Sequence, residues 1–399
     1  MKILYVTPVI PTQTDGRRPY NFLKYISQRH ETHLICMKLK NQSQADIDHL
    51  ASMGVTVKYV HPIQPLNSVL QCALGLFLRR PLRASWCCSN HFRRVIRQAA
   101  KEEQYDVVHF DRLRMGQYMN EAHAPAMLDF TDSLPLYLKR SFRFRRSIKE
   151  RLIDAWELFS IPNYERKLVR ESSAALVCSS IDAEVFRQNT PGISIDVIAN
   201  GVDSEQFQPR RHASDHNARC IITGTLFYFP NIDSVRFYWE DILPEVRRRF
   251  PWMETILVGT RPQDEICKLD GQQGILLVAN APQMEEQLFA DDIYLCPLRV
   301  AAGVRNKLLE AMAAGMPIIT TKLGAEGINV EHDKHVLFAD TPNEFVDCIQ
   351  RLQESPALQK SLGQAARNYV IQNHNYTSLG QKLEERYQCL RSERHGSHV

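Results

Sequence analysis

Pro297-Leu298-Arg299-Val300-Ala301-Ala302-Gly303-Val304-Arg305-Asn306-Lys307-Leu308-Leu309-Glu310-Ala311-Met312-Ala313-Ala314-Gly315-Met316-Pro317 is the most informative stretch of this 399-residue chain. It follows the apolar run Ile293 to Cys296 and leads into Pro317 to Thr320, so it reads as strand end, loop, helix from near Arg305 to Gly315, and a further strand. A helix N-terminus offers unpaired N–H groups and a positive dipole end, which stabilise a phosphate without a metal. Gly303 allows close backbone approach. Arg305 and Lys307 fall on the first turn, where cations are disfavoured unless an anion compensates them. Glu310, three residues beyond Lys307 on the same helix, is placed to accept hydrogen bonds from vicinal hydroxyls such as those of a ribose. The plain structural alternative is an exposed Lys307–Glu310 pair, worth about 0.3 kcal/mol.

The strand–loop–helix unit recurs on both sides of this stretch. Lys2 to Thr7, His33 to Met37, Val55 to Val60, Val107 to Phe110, Ala126 to Phe130, Ala174 to Cys178 and Ile195 to Ile198 read as short buried strands separated by helix-length segments. A second series comprises Cys220 to Thr223, Glu254 to Val258, Ile275 to Val278, Ile293 to Cys296, Pro317 to Thr320 and Val336 to Phe338. Helical patterns are expected over Val235 to Arg248, Met284 to Ala290, Lys307 to Ala314, Asn343 to Glu354 and, amphipathically, Tyr376 to Leu390. This is an α/β chain of two doubly wound domains, with ligands expected at the carboxyl ends of parallel strands in a cleft between them. The polar stretch Arg210 to Asn217 is the expected linker. It gives an N-terminal domain over 1–209, a C-terminal domain over 210–375, and a closing helix and frayed tail over 376–399.

Length agrees with two cores, and 44% apolar with 24% charged residues is the balance of a globular protein. A net charge of +4 makes no general case for nucleic acid. The ten cysteines lack paired metal-binding spacing, and several lie in apolar runs as small hydrophobes; they are expected to be reduced core thiols. The opening run Met1 to Val6 is too short for a secretory signal, and Val69 to Leu78 is half the length of a membrane span and ends in Arg79-Arg80. A cytoplasmic protein is expected.

The pattern Gly-x-Arg-x-Lys-x-x-Glu-Ala-Met-Ala-x-Gly-x-Pro from Gly303, followed by Gly324-Ala325-Glu326-Gly327, resembles the donor-site signature of glycosyltransferase family 4. Asn200-Gly201-Val202-Asp203 with Phe207 and Pro209 resembles that family's inter-domain segment, and Gly224, Pro230-Asn231-Ile232-Asp233 and Val258-Gly259 its opening strand, loop and helix of the second domain. Asp111-Arg112-Leu113-Arg114-Met115 adds a likeness to sugar transferases of exosortase-linked exopolysaccharide loci. The resemblance implies the GT-B fold, two Rossmann-like domains facing across a cleft, the first on the acceptor side and the second binding the nucleotide sugar. It implies a retaining, hexosyltransferase-like enzyme of polysaccharide or glycolipid biosynthesis that moves a sugar from a nucleoside diphosphate sugar to a hydroxyl acceptor. No cofactor and no metal are expected. Donor-binding positions carried over are Gly16, Asn200, Gly224, Arg299, Gly303, Val304, Arg305, Lys307, Glu310 and Glu326, with Arg305 and Lys307 at the diphosphate and Glu310 at the ribose. Many members carry a second glutamate seven residues before the first; here that position is Ala302, so the sugar is not specified.

On the acceptor side, Pro125 to Asp132 resembles a family strand that commonly ends in His-Asp, with Thr131 at the His position. Asp129 and Asp132 are the candidates to orient the acceptor or take its proton, His109 is a weaker alternative base, and Arg17 beside Gly16 is a candidate acceptor contact. Each also has an ordinary structural reading as a cap, turn or surface residue. Lys139 to Arg151 carries seven cations, one anion and two aromatics in thirteen positions. It reads either as a solvated basic helix or as an attachment to an anionic membrane, peripheral on the inner face of the cell membrane, which suits a lipid-linked or glycan acceptor. No recognition fold for nucleic acid accompanies it. The rival readings are a sugar-nucleotide epimerase of the same fold, which needs no acceptor, and a catalytically silent carbohydrate-binding protein of that fold, which binds donor without turnover.

Overall fold

The computed structural model describes residues 1–40, 42–213 and 219–396. The chain divides into two compact units, the first comprising residues 1–199 with the segment from Tyr376 onward, the second Asn200–Asn375. The linker expected at 210–217 lies in part outside the described residues, as do the last three residues of the tail.

The first unit contains β1 (Lys2–Thr7), β2 (Glu31–Lys38), β3 (Val55–Pro62), β4 (Val107–Asp111), β5 (Ala126–Thr131), β6 (Ala174–Val177) and β7 (Ile195–Val197). They form one sheet in the order β3-β2-β1-β4-β5-β6-β7, every neighbouring pair parallel. Helices cover both faces of such a sheet, so strands such as β1 and β4 are apolar along most of their length rather than alternating. Ile3, Tyr5, Leu34, Val107, Met127 and Leu176 make the core with Phe22, Leu23 and Ile26 of the helix Arg17–Ile26. The last helix, Tyr376–Gly396, joins this core rather than the preceding unit: Leu379, Leu383, Tyr387 and Leu390, spaced on one helical face, are all buried in it.

The second unit contains β8 (Cys220–Thr225), β9 (Thr255–Thr260), β10 (Ile275–Ala279), β11 (Ile293–Cys296), β12 (Ile318–Thr320) and β13 (Leu337–Phe338), ordered β10-β9-β8-β11-β12-β13 and again wholly parallel. Strand order reverses between β1 and β4 in the first unit and between β8 and β11 in the second. Ligands of doubly wound sheets lie outside the carboxyl ends of the strands at that reversal.

Two helical expectations change. Met284 to Ala290 is a single 3-10 turn, Glu285–Gln287, because Leu288 is the one side chain of that run that is buried. The pattern over Val235 to Arg248 starts six residues earlier, as Phe229–Phe237, and passes through a π-turn, Tyr238–Ile242, into Leu243–Arg249. Pro244 has no N–H to continue an α-helical ladder, and the wider turn before it absorbs the break. All ten cysteines are free thiols; Cys267 and Cys389 are exposed and so are not core residues. Among the described residues no helix is long and apolar enough to cross a membrane.

Gly224 of β8 pairs with Gly259 of β9, and a Cβ on Gly259 would overlap the Gly224 carbonyl oxygen. Backbone atoms cannot give way as a side-chain tip does. Gly259→Ala is therefore expected to destabilise by at least about 2 kcal/mol, read as a lowered midpoint in thermal or urea unfolding; an unchanged midpoint would contradict this packing.

Candidate functional site

In the second unit the carboxyl end of β11 runs into residues 297–305 and then into the helix Asn306–Ala313. Three ties shape this loop. Arg299 binds Asp233 through two hydrogen bonds (Nε to Oδ2 3.1 Å, Nη2 to Oδ1 2.9 Å) and covers the Phe237 ring at 4.5 Å. Thr321 Oγ1 donates to the Leu298 carbonyl at 2.6 Å. Near the helix, the buried Asn200 donates from Nδ2 to the Val304 carbonyl at 3.1 Å. Gly303 takes a left-handed backbone (φ 74°), the conformation glycine adopts without penalty.

Arg305 occupies the N-cap position and is only 8% exposed. A guanidinium has no acceptor with which to cap first-turn N–H groups. Its Nη2 instead donates to the Glu326 carbonyl at 2.6 Å. Lys307, one turn position into the helix, reaches across to the carboxyl end of β8: its Nζ donates to Asn231 Oδ1 at 2.9 Å and lies 3.3 Å from the Thr223 carbonyl oxygen. Both acceptors are neutral. Among the described residues Lys307 has no carboxylate within ion-pair distance. Burial holds its ammonium below the ordinary lysine value, and the nearby Arg305 charge acts the same way. Glu310 is buried on the same helix.

The structure thus brings Asn200, Gly224, Val304, Arg305, Lys307 and Glu326 to one end of the second sheet, at its order reversal. Asn231 was not among the residues singled out for the site, although it lies in the quoted Pro230–Asp233 motif. Its amide receives Lys307 on one side and donates to the Thr225 carbonyl at 3.0 Å on the other, fixing the lysine over β8.

In the first unit Gly16 caps the helix Arg17–Ile26 in a left-handed conformation (φ 71°), and Arg17 is half-buried at its first position. Next to it Arg18 is buried and bonds Asp129 (Nε to Oδ2 2.6 Å) and the Ala199 carbonyl (3.0 Å). Asp129 also accepts from the Thr131 N–H at 2.9 Å and lies 3.8 Å from His109 Nε2. His109 Nδ1 meets the Tyr387 hydroxyl at 2.7 Å, which meets the Tyr5 hydroxyl at 2.7 Å; the Tyr5 ring stacks on His109. Asp129 and His109 are therefore interior members of one polar chain that ties β1, β4 and β5 to the last helix. Asp132, just past β5, is half-buried. It lies close enough to the buried Glu165 that, after burial itself, its charge is what pushes the Glu165 carboxyl far above the usual range. Thr131, just before Asp132, has φ 69°, a strained setting for a β-branched residue, and among the described residues its hydroxyl has no hydrogen-bond partner. Glu165, close to Asp132, was not singled out by sequence reasoning.

Residues 217–355 match the family model described as Glycosyl transferases group 1, and the fold is that of the GT-B glycosyltransferases. HepE from Anabaena, solved in complex with UDP, superposes with a TM-score of 0.68 over 98% of this chain and 100% of its own, at 15% identity. An uncharacterized 44.6 kDa protein of the cps region of Klebsiella pneumoniae is 21% identical over 371 residues, 88% of this chain and 89% of that protein. A GDP-mannose-dependent alpha-(1-6)-phosphatidylinositol monomannoside mannosyltransferase of Mycobacterium tuberculosis is 23% identical over 219 residues, 49% of this chain; the match spans 56% of that enzyme. The group 1 domain covers β8 to β13 and with them every residue placed around Lys307 except Asn200.

Burial lowers the His109 imidazole to about 4 and raises the Asp111 carboxyl to about 6. The signs oppose. A lowered histidine loses stability as pH falls from 6.5 towards 4, whereas a raised aspartate loses it as pH rises from 3.8 towards 6, so the two offset in global unfolding. Site-resolved NMR separates them: the His109 ring is expected to stay neutral at pH 5. Protonation with a midpoint near 6.5 would contradict the buried network.

Proposed function

We propose that this protein transfers a sugar, with retention of anomeric configuration, from a nucleoside diphosphate sugar to a hydroxyl acceptor on a glycan or lipid-linked glycan. The observation that carries the reading is Lys307: a cation at a helix N-terminus, largely desolvated, bonded only to neutral oxygens. Such a group costs stability unless an anion arrives, and a diphosphate is an anion of the right size for Lys307, Arg305 and the first-turn N–H groups together. The bond from the sugar's anomeric carbon to the β-phosphate oxygen breaks, the acceptor oxygen bonds to that carbon, and the charge left on the diphosphate is stabilised by those cations without a metal. Glu310 accepts hydrogen bonds from the ribose hydroxyls, with Gly224, Gly303 and Glu326 beside the donor. Asn200, Val304 and Arg299 hold the loop in shape.

On the acceptor side Asp132 is the group for the hydroxyl proton, with Gly16 and Arg17 as neighbouring contacts. Asp129 and His109 serve by holding the ends of β4 and β5. Support for the donor class comes from HepE, which binds UDP, and support for a lipid-linked acceptor from the mycobacterial mannosyltransferase.

Lys307→Met keeps the stem and removes the charge. Turnover is expected to fall by about 100-fold or more, while the melting temperature stays level or rises, because an uncompensated half-buried cation has gone. Near-normal turnover in that variant would sink the assignment. Activity of the unmodified protein should survive a chelator; loss restored by a divalent cation would contradict the metal-independent part.

A further inference from the structure

The exposed large apolar side chains concentrate at two places in the first unit. One is the helix Pro65–Phe77, where Leu66, Val69, Leu70, Leu74 and Phe77 face outward, Leu66 exposed by 89% and Phe77 by 86%. The other is the start of the helix Ile148–Glu171, with Ile148 at 76% and Leu152 at 68%, continued by Phe159.

The first of these helices is inside out. Its inward face is polar or small: Asn67 Nδ2 donates to the Cys88 carbonyl at 3.0 Å and Ser68 Oγ to the Trp86 carbonyl at 2.8 Å, and Gly75 packs so closely on Ser85 that a Cβ would overlap that hydroxyl. A helix on a water-facing surface turns its apolar stripe to the core; here the stripe is turned away from it. The second helix adjoins it, since Trp156 Nε1 donates to the Arg80 carbonyl at 3.2 Å and the Trp156 ring packs against Phe159.

Charge says what covers this face. Helix Pro65–Phe77 contains no charged residue and is followed by the exposed Arg79 and Arg80; Arg143, Arg146, Lys149 and Arg151 are exposed at the start of the second helix. The carboxylates there are mostly withdrawn: Asp154 is buried on Arg145 at 2.9 Å and Glu157 is buried accepting the Arg83 N–H at 3.0 Å, leaving Glu150 exposed. A second copy of the chain docked isologously would set these cations against themselves. We propose that this face lies in the plane of an anionic lipid bilayer, with the Pro65–Phe77 side chains in the headgroup–acyl boundary and the flanking cations on lipid phosphates. The inference is independent of the donor-site reading, because it uses none of its residues.

Co-sedimentation of the 399-residue protein with vesicles tests it, using phosphatidylcholine alone and phosphatidylcholine mixed with phosphatidylglycerol. Binding is expected to the mixed vesicles, at least about tenfold stronger than to the neutral ones, and to weaken with salt. Leu66→Gln/Leu70→Gln/Phe77→Gln and, separately, Arg79→Glu/Arg80→Glu should each weaken it about tenfold or more. The thermal-unfolding midpoint of both variants should match that of the unmodified protein, which certifies their fold. Absence of binding to mixed vesicles, binding by either variant as strong as that of the unmodified protein, or a wild-type dimer that the triple variant dissolves would each overturn the proposal.

Discussion

A half-buried ammonium with only neutral partners is the constraint around which the second unit is arranged. Lys307 is carried over the carboxyl end of β8 by a helix that begins after β11, and the pairing of β8 with β11 is what makes the two ends adjacent. Asn231 receives it, Asn200 fixes the preceding carbonyl, and Arg299 with Asp233 anchors the loop's start. Of these hydrogen bonds a neutral one is worth about 1 kcal/mol and one that involves a charged group about 1.5–3 kcal/mol. Together they hold two cations in a place that neither the helix dipole nor burial favours, which is how a site stores affinity for an anion.

The first unit shows a different balance. Its cation, Arg18, is matched by Asp129, and the pair continues through His109 to Tyr387 and Tyr5. Such a connected buried network fixes the geometry of the elements it joins. The strain lies just outside it: Thr131, the last residue of β5, and Arg112, the first after β4, both have positive φ, and burial raises the carboxyl pKa of Asp111 and Glu165. Backbone strain and carboxyls of raised pKa thus collect beside the carboxyl ends of β4 and β5.

Much of this was legible in the sequence. The thirteen strands of the described residues fall on apolar runs because parallel strands covered on both faces leave a continuous signal, and the Gly303 to Glu310 pattern located the helix and its cations. What was not legible depends on partners far along the chain. That Arg299 is engaged by Asp233, 66 positions away, or that Lys307 is received by Asn231, 76 away, follows from strand order and from no local pattern. The buried carboxylates Asp154, Glu157 and Glu165 do repeat at helical spacing, yet charge on a helix face ordinarily signals solvent, and only the packed structure shows them turned inward. The same ambiguity hid the outward stripe of Pro65–Phe77, whose apolar content was evident and whose direction was not.

The most direct measurement is a crystal structure of the protein with a nucleoside diphosphate bound in the presence of magnesium. The account predicts the β-phosphate oxygens within hydrogen-bond distance of Lys307 and Arg305, the ribose hydroxyls on Glu310, and no ion between phosphate and protein. A nucleotide bound away from the helix Asn306–Ala313, or a diphosphate reached only through a metal while Lys307 stays on Asn231, would contradict it.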